Sequence, residues 1–333
     1  MSESTGGGRQ VLDMVILGAG PAGLTAAVYA GRARLRAVMI DRGVPGGQMA
    51  TTDLVENYPG FPQGISGGEL AQLMAEQAER FGVSLEMGEV EGVRQEGQLW
   101  SVQTSEGDFT SRAILIATGT RPRELGVPGE KELRGRGISY CATCDGAFFQ
   151  DSEVVVVGGG DSAVAEAEFL TRYARKVTIV HRRDQLRAAR SLQERVLGNP
   201  RVAVRWNAVV VAFQGEQRLE KVWVKDVKTG EESELPADGA FIYVGLLPNT
   251  GFLAEAIPLD ENGYIVTDDS MAVCTPPEKG GPGVLQPFAP GVFAAGDVRR
   301  KRLRQVSTAV GDAAVAAMAA EEYIAARFGH GQQ

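Results

Sequence analysis

Cys141 and Cys144, two residues apart in Ser139-Tyr140-Cys141-Ala142-Thr143-Cys144-Asp145, form the most chemically capable grouping in this chain. The spacing suits either half of a zinc site or a dithiol that opens and closes. A structural zinc takes four ligands, and the further candidates, Cys274, His181 and His330, all lie far away in sequence. Redox chemistry is the better reading, because a pair of inert core cysteines would leave the adjacent acid unexplained. A dithiol that turns over needs a proton for a leaving thiolate, and Asp145 follows Cys144 directly. Such a centre also needs a source of electrons.

Two glycine motifs offer one. Asp13 to Leu17 reads as a short apolar strand, followed by Gly18-Ala19-Gly20-Pro21-Ala22-Gly23, an alanine-rich helical stretch to about Arg32, and a second strand from Ala37 to Ile40 ending at Asp41. Strand, G-x-G-x-x-G, helix, strand and acid make the fingerprint of a dinucleotide-binding βαβ unit. Its glycines permit a tight turn and let a pyrophosphate approach the backbone amides at a helix N-terminus. The unit recurs at a constant offset of 140 positions: Gly18, Gly20 and Gly23 fall on Gly158, Gly160 and Ala163, and Asp41 falls on His181. The second copy runs from the strand Glu153 to Val157 through Gly158-Gly159-Gly160-Asp161-Ser162-Ala163 to the strand Val177 to Val180. Two nucleotide sites are therefore expected. Asp41 can accept hydrogen bonds from ribose hydroxyls but would repel a 2′-phosphate. The second copy instead offers His181, Arg182 and Arg183, with Arg187 one helical turn on, as cationic groups suited to a 2′-phosphate. FAD is expected at the first site and NADPH at the second.

Composition is consistent with this. The 333 residues suggest two domains or one large one, with 44% hydrophobic and 23% charged residues as in an ordinary globular protein. A net charge of −8 argues against nucleic acid as the main partner. No apolar run is as long as a membrane span, and the polar, glycine-rich stretch from Met1 to Gln10 lacks a signal-peptide core. Three cysteines do not make a secreted disulfide framework, so a cytoplasmic location is expected.

Between the copies, Gly46-Gly47-Gln48 and Glu56-Asn57-Tyr58-Pro59-Gly60 are loop signals, and Glu69 to Phe81 is an amphipathic helix. Val90 to Ser105 and Phe109 to Ile116 read as hairpin strands, the latter leading into Ala117-Thr118-Gly119, and residues 120–127 as a linker. After the second copy, Arg201 to Phe213, Lys221 to Val227 and Ala240 to Val244 read as strands, and Gly245 to Gly251 as a second crossing. A last strand, Val292 to Ala295, ends at Gly296-Asp297, followed by a basic run to Arg304 and an alanine-rich helix from about Gln305 to Phe328. The helix N-terminus at Gln305 would favour an anionic reduced flavin. The expected fold is α/β, with two Rossmann-like dinucleotide-binding domains: residues 1–121 with 249–333, and 122–248, inserted within the first and carrying the dithiol.

Taken together, these motifs resemble the low-molecular-weight, bacterial-type thioredoxin reductases. The resemblance covers nearly the whole chain: G-A-G-P-A-G, G-G-Q, E-N-Y-P-G-F, A-T-G, C-A-T-C-D, G-G-G-D-S-A, H-R-R-D-x-L-R-A, and G-D-V with R-Q downstream. It implies a homodimer in which NADPH reduces non-covalent FAD, FAD reduces a Cys141–Cys144 disulfide, and the dithiol reduces thioredoxin or a thioredoxin-like protein. It further implies that Cys144 lies nearer the flavin, that Cys141 attacks the substrate, and that Asp145 is the acid. FAD contacts are expected from Gly18, Gly20, Pro21, Ala22 and Gly23, from Asp41 and Arg42, and from Gly46, Gly47, Gln48 and Asn57. Thr118, Gly119, Asp297, Val298, Arg304 and Gln305 complete that set, with Asp297 at the ribityl chain. NADPH contacts are expected from Gly158, Gly160, Asp161, Ser162 and Ala163 and from His181, Arg182, Arg183 and Arg187. Rotation of one domain against the other, hinged at residues 120–123 and 246–250, would let disulfide and nicotinamide alternate at one flavin face.

Some features depart from that pattern. Ala165-Glu166 stands where two adjacent acids are common, residues 275–288 look like an insertion, and Cys274 reads as a bystander thiol. The basic run from Arg299 to Arg302 would either guide an acidic partner or form a solvated face. The larger disulfide reductases space their cysteines further apart and use a histidine base on a C-terminal domain; here the late histidine, His330, sits in a polar tail. A redox sensor that binds both nucleotides without turning over is the alternative from a different class.

Overall fold

The computed structural model describes residues 11–52, 54–253, 256–276 and 285–329. The polar N-terminal stretch, most of the 275–288 insertion and His330 lie outside the described residues. The chain divides into two compact units, one formed by the residues up to Arg121 together with those from Leu247 onward, the other by Pro122–Leu246.

In the first unit, parallel strands Ser84–Met87, Ala37–Asp41, Leu12–Leu17 and Phe109–Ile116 lie side by side in that order, and Val292–Ala294 pairs in parallel with Phe109–Ile116. The hairpin strands Val90–Glu96 and Leu99–Thr104 extend the sheet antiparallel through the other end of Phe109–Ile116. Met14 to Leu17 are wholly buried, because a parallel strand is covered on both faces and so reads as a continuous apolar run. Side chains alternate between those faces. Met14 and Ile16 join a core with the helices Pro21–Arg32 and Val306–Phe328, while Val15 and Leu17 join one with Trp100 and Val102. The helix surfaces in the first of these cores are mainly alanine, including Ala26, Ala30, Ala313, Ala317 and Ala320, and small side chains let helices pack closely on the sheet and on each other. The helix Gly67–Arg80 starts at Ser66, whose hydroxyl accepts the Glu69 N–H at 3.1 Å, the N-cap half of the S-x-x-E signature.

The second unit repeats the arrangement with different chain segments. Its parallel sheet runs Val202–Arg205, Lys176–Val180, Glu153–Gly158, Gly239–Tyr243, Ile138–Ser139. Again one strand divides two cores, Val154 and Val156 on one side, Val155 and Val157 on the other. An antiparallel meander, Ala208–Gln214, Lys221–Asp226 and Glu232–Pro236, completes the unit.

The stretch expected as one strand from Arg201 to Phe213 is two, in different sheets. Asn207 between them takes φ 53°, a left-handed conformation that Asn tolerates and that ends an extended run. The helix Arg190–Leu197 and the strand Glu232–Pro236 are additional to the sequence reading. Within the expected linker, Thr120–Pro122 is a short strand paired with Leu246–Pro248.

Candidate functional site

The first glycine turn has its shape because nothing larger fits. Gly18 has φ 106°, and a Cβ there would lie 2.5 Å from the Ala117 carbonyl oxygen; at Gly23 it would lie 1.7 Å from that of Gly18. The middle residue, Gly20, faces open space, leaving room for a ligand against the amides that open the helix Pro21–Arg32. Both Asp41 oxygens are held by backbone, Oδ2 by Ala19 N–H at 2.7 Å and Oδ1 by Gly43 N–H at 2.9 Å. Each oxygen keeps a lone pair free for a hydroxyl. Gly46 N–H donates to Ala19 O at 2.7 Å, bringing the Gly46-Gly47 loop over the turn.

Other predicted residues gather in the same unit. Gln48 donates to Thr120 O at 2.6 Å, and Asn57 donates to Gln305 Oε1 at 3.0 Å, beside the helix Val306–Phe328. Gly119 takes φ 61° after the strand, and Thr118 is tied to Asn249 in both directions, at 2.8 and 2.9 Å. Asp297 follows the strand Val292–Ala294, and its Oδ1 is buried without a hydrogen-bond partner, as is Arg304 Nε. Burial pushes the Asp297 carboxyl above the usual carboxylate range, against the pull of Lys301 and Arg304. An orphaned buried acceptor beside an open glycine turn fits a group that brings hydroxyls, as a flavin dinucleotide does. Two residues of the predicted set stand apart from this cluster. Val298 is wholly buried in the hydrophobic core and lines no open surface, and Arg42 makes an exposed ion pair with Glu89 at 3.2 Å.

The second turn uses the same device with a different floor. Gly158 has φ 152°, a Cβ there would lie 2.5 Å from Tyr243 O, and Gly160 again faces open space before the helix Asp161–Leu170. Ala163, in the third position, is buried without displacing the turn. The segment after Lys176–Val180 folds back on the turn through Arg187 N–H to Gly159 O and Ala189 N–H to Asp161 Oδ1, each 2.7 Å. This segment is irregular, not the helical turn expected from sequence, because those backbone bonds replace helical ones. It leaves Arg182, Arg183 and Arg187 exposed beside the turn, while Ser162 lies in its first helical residues.

His181 does not act there as a cation. Its imidazole is 4% exposed and packed beneath Gly159, where a Cβ would lie 2.3 Å from Nδ1, and Nε2 contacts Gln185 O at 3.0 Å. Burial lowers its pKa, with Arg187 and Arg182 adding to the effect, so it is a neutral support for the turn.

The cysteines form a disulfide in the second unit, with Cα atoms 5.4 Å apart. Cys141 caps the single helical turn Ala142–Asp145, its Sγ accepting the Cys144 N–H at 3.2 Å. A backbone N–H aimed at sulfur favours thiolate once the bond is reduced. Ser139 Oγ accepts the Cys141 N–H at 3.0 Å, and the Tyr243 phenol oxygen accepts the Ala142 N–H at 2.9 Å. The preceding Tyr140 donates to Glu130 at 2.7 Å, a buried carboxylate that also accepts the Leu125 and Gly126 amides. Among the described residues no cluster of metal-ligating side chains occurs.

The sequence profile of the pyridine nucleotide-disulphide oxidoreductase family matches residues 12–313. The chain belongs to this family. Its members are oxidoreductases, and the family name joins the two chemistries seen here, a nucleotide turn and a disulfide in one unit. A thioredoxin reductase of Bacillus subtilis is 48% identical over 317 residues, 95% of this chain and 96% of that protein. Among solved structures, the thioredoxin reductase of Lactococcus lactis matches with a TM-score of 0.89 at 44% identity, over 95% of this chain and 99% of that one. That of T. acidophilum matches with a TM-score of 0.85 at 37% identity, over 93% and 98%.

Against this family background, the basic run is neither a docking patch nor a solvated face at two of its positions. Arg299 and Lys301 are each 11% exposed and pair with Asp312 at 2.8 and 2.6 Å. Asp312 also accepts the Gly296 N–H at 3.1 Å, so it anchors the turn that carries Asp297. An acid set among the alanines of the helix Val306–Phe328, well before Glu321 and Glu322, was the signal for it. Asn249, Glu130 and Tyr243 carry no comparable sequence signal. Cys274 is buried, and burial raises its thiol pKa, as suits an inert thiol. No helix among the described residues is long and apolar enough to cross a membrane.

Proposed function

We propose that this protein is an NADPH-dependent thioredoxin reductase acting in the cytoplasm as a homodimer. The observation that carries the reading is the Cys141–Cys144 disulfide, held beside a second glycine turn with three exposed arginines. The first unit, residues 1–121 and 249–333, would bind FAD non-covalently through the Gly18 turn, Asp41, the Gly46-Gly47-Gln48 loop and Asp297. The second, residues 122–248, would bind NADPH through the Gly158 turn, with Arg182, Arg183 and Arg187 on the 2′-phosphate. When bound, the two cofactors supply the hydride and electron transfer that ends in a reduced Cys141–Cys144 pair. Cys141, whose sulfur receives the Cys144 N–H, then attacks the thioredoxin disulfide. Cys144 resolves the mixed disulfide, and Asp145 protonates the leaving thiolate. Phe148, 81% exposed just beyond Cys144, gives a protein partner an apolar foothold.

Cys141→Ser and Cys144→Ser test this directly. The purified protein should be yellow with about one FAD per chain, from the single turn followed by an acid. In both variants NADPH should still bleach the flavin, while thioredoxin-coupled insulin reduction collapses. Thioredoxin reduction surviving in both would assign the electrons to another dithiol. A wild type that binds both nucleotides but does not turn over would be the sensor instead.

A further inference from the structure

The strand Gly239–Tyr243 touches both functional features of its unit with its last residue. The Tyr243 backbone pairs with Gly158, and its carbonyl is the group that excludes a side chain from that glycine. Its phenol oxygen accepts the Ala142 N–H at 2.9 Å. Ala142 is wholly buried, so this amide has no water to bond with, and buried amides are almost always paired. A capping side chain accepts from the second or third amide of the helix, not the first. Cys141 follows that rule, taking the Cys144 N–H and leaving the Ala142 N–H in need of an outside acceptor. Burial, with the charges of Glu166 and Asp145 adding to it, raises the Tyr243 pKa, so the phenol stays neutral at working pH.

We propose that Tyr243 is a positioning residue for the Cys141–Cys144 dithiol. By holding the first amide of the turn, it keeps the Cys144 N–H aimed at Cys141 Sγ and so favours the Cys141 thiolate. A phenylalanine keeps the ring in the strand but leaves that buried amide unpaired. The turn would then shift to find a partner, and the contact between Cys144 N–H and Cys141 Sγ would weaken.

The proposal rests on the reading of Cys141–Cys144 as a working dithiol, and its test needs neither thioredoxin nor nucleotide. Full-length wild type and Tyr243→Phe are reduced and alkylated with iodoacetamide across a pH series, and modification at Cys141 is followed by peptide mass spectrometry. The expected result is a Cys141 profile displaced to higher pH in the variant. Reactivity at neutral pH should be lower by about tenfold, the equivalent of one ordinary hydrogen bond. The buried Cys274 should be unchanged and the thermal midpoint close to wild type. Superimposable profiles would overturn the positioning role. Wild-type cysteines that resist alkylation after reduction would overturn the dithiol reading itself. Should Tyr243→Phe fail to fold, amide exchange in the wild type decides: strong protection at Ala142 supports the bond, and exchange at the rate of free peptide removes it.

Discussion

At the first glycine turn the third position has no room for a methyl group; at the second it carries one. Gly23 and Ala163 occupy equivalent places on sheets of the same strand order, yet a Cβ at Gly23 would lie 1.7 Å from a backbone oxygen. The ends of the next strands differ as well. Asp41 presents a carboxylate clamped by two amides, whereas His181 turns a neutral ring inward beneath Gly159 and leaves the polar role to its neighbours. On the proposed reading, one backbone device serves two ligands, and selectivity is assigned to the residues at the end of the second strand. The fifth strands extend the parallel. Val292–Ala294 leads to Asp297 in one unit, and Ile138–Ser139 leads to Cys141 in the other. Both follow the rule that ligands and chemistry gather at the carboxyl ends of parallel strands.

The sharpest way to break this comparison is to exchange the third-position residues. Gly23→Ala should abolish flavin retention, leaving a colourless or unstable protein, since the obstacle is backbone that cannot rotate away. Ala163→Gly should cost only about 1 kcal/mol, the helix penalty of glycine, with flavin reduction by NADPH preserved. Flavin absorbance and thermal denaturation of both variants measure the difference. A yellow, stable Gly23→Ala protein would mean that the two turns are interchangeable.

A smaller effect is expected at the ends of the second strands. Charge-assisted hydrogen bonds contribute about 1.5–3 kcal/mol each, so Arg182→Ala with Arg183→Ala could weaken NADPH use by two to four powers of ten. Because both arginines are exposed, screening pulls the expectation to about a hundredfold, with NADH nearly unaffected. Stopped-flow flavin reduction with each coenzyme reads this. Equal losses with both coenzymes would reassign the arginines to the fold or the pyrophosphate.

The smallest effect concerns His181. Its folded-state pKa lies below the ordinary value of 6.5, so between the two values the unfolded chain binds more protons than the folded one. Stability therefore rises with pH across the window just below 6.5 and falls on acidification through it. His181→Gln should flatten the dependence of the thermal midpoint on pH in that window. An unchanged slope would place the acid sensitivity elsewhere.

Both turns were legible in the sequence because their constraint is local: glycines at fixed intervals between an apolar strand and a helix. The dithiol was legible for the same reason. What escaped depends on partners distant in the chain. The charge of His181 could not be read, since its burial depends on Gly159 and on the return of the segment to Gln185. Arg299 and Lys301 read as surface because their partner, Asp312, lies on the following helix. The break between Val202–Arg205 and Ala208–Gln214 had a signal in Asn207, but one outweighed by the β-branched residues around it. Tyr243 had none, for a tyrosine closing an apolar strand looks like any other core residue.

The discontinuity of the first unit has a consequence for the order in which the protein is made. On the ribosome, the stretch Pro122–Leu246 emerges whole, with every strand of its parallel sheet present, before the last strand and helix of the first unit have been synthesised. Phe109–Ile116 must wait for Val292–Ala294, and the alanine face of Pro21–Arg32 for Val306–Phe328. Domains tend to fold as units as they leave the ribosome. The dithiol turn is thus complete while the first unit is still open, and its two cysteines meet the surrounding solution before that unit has closed.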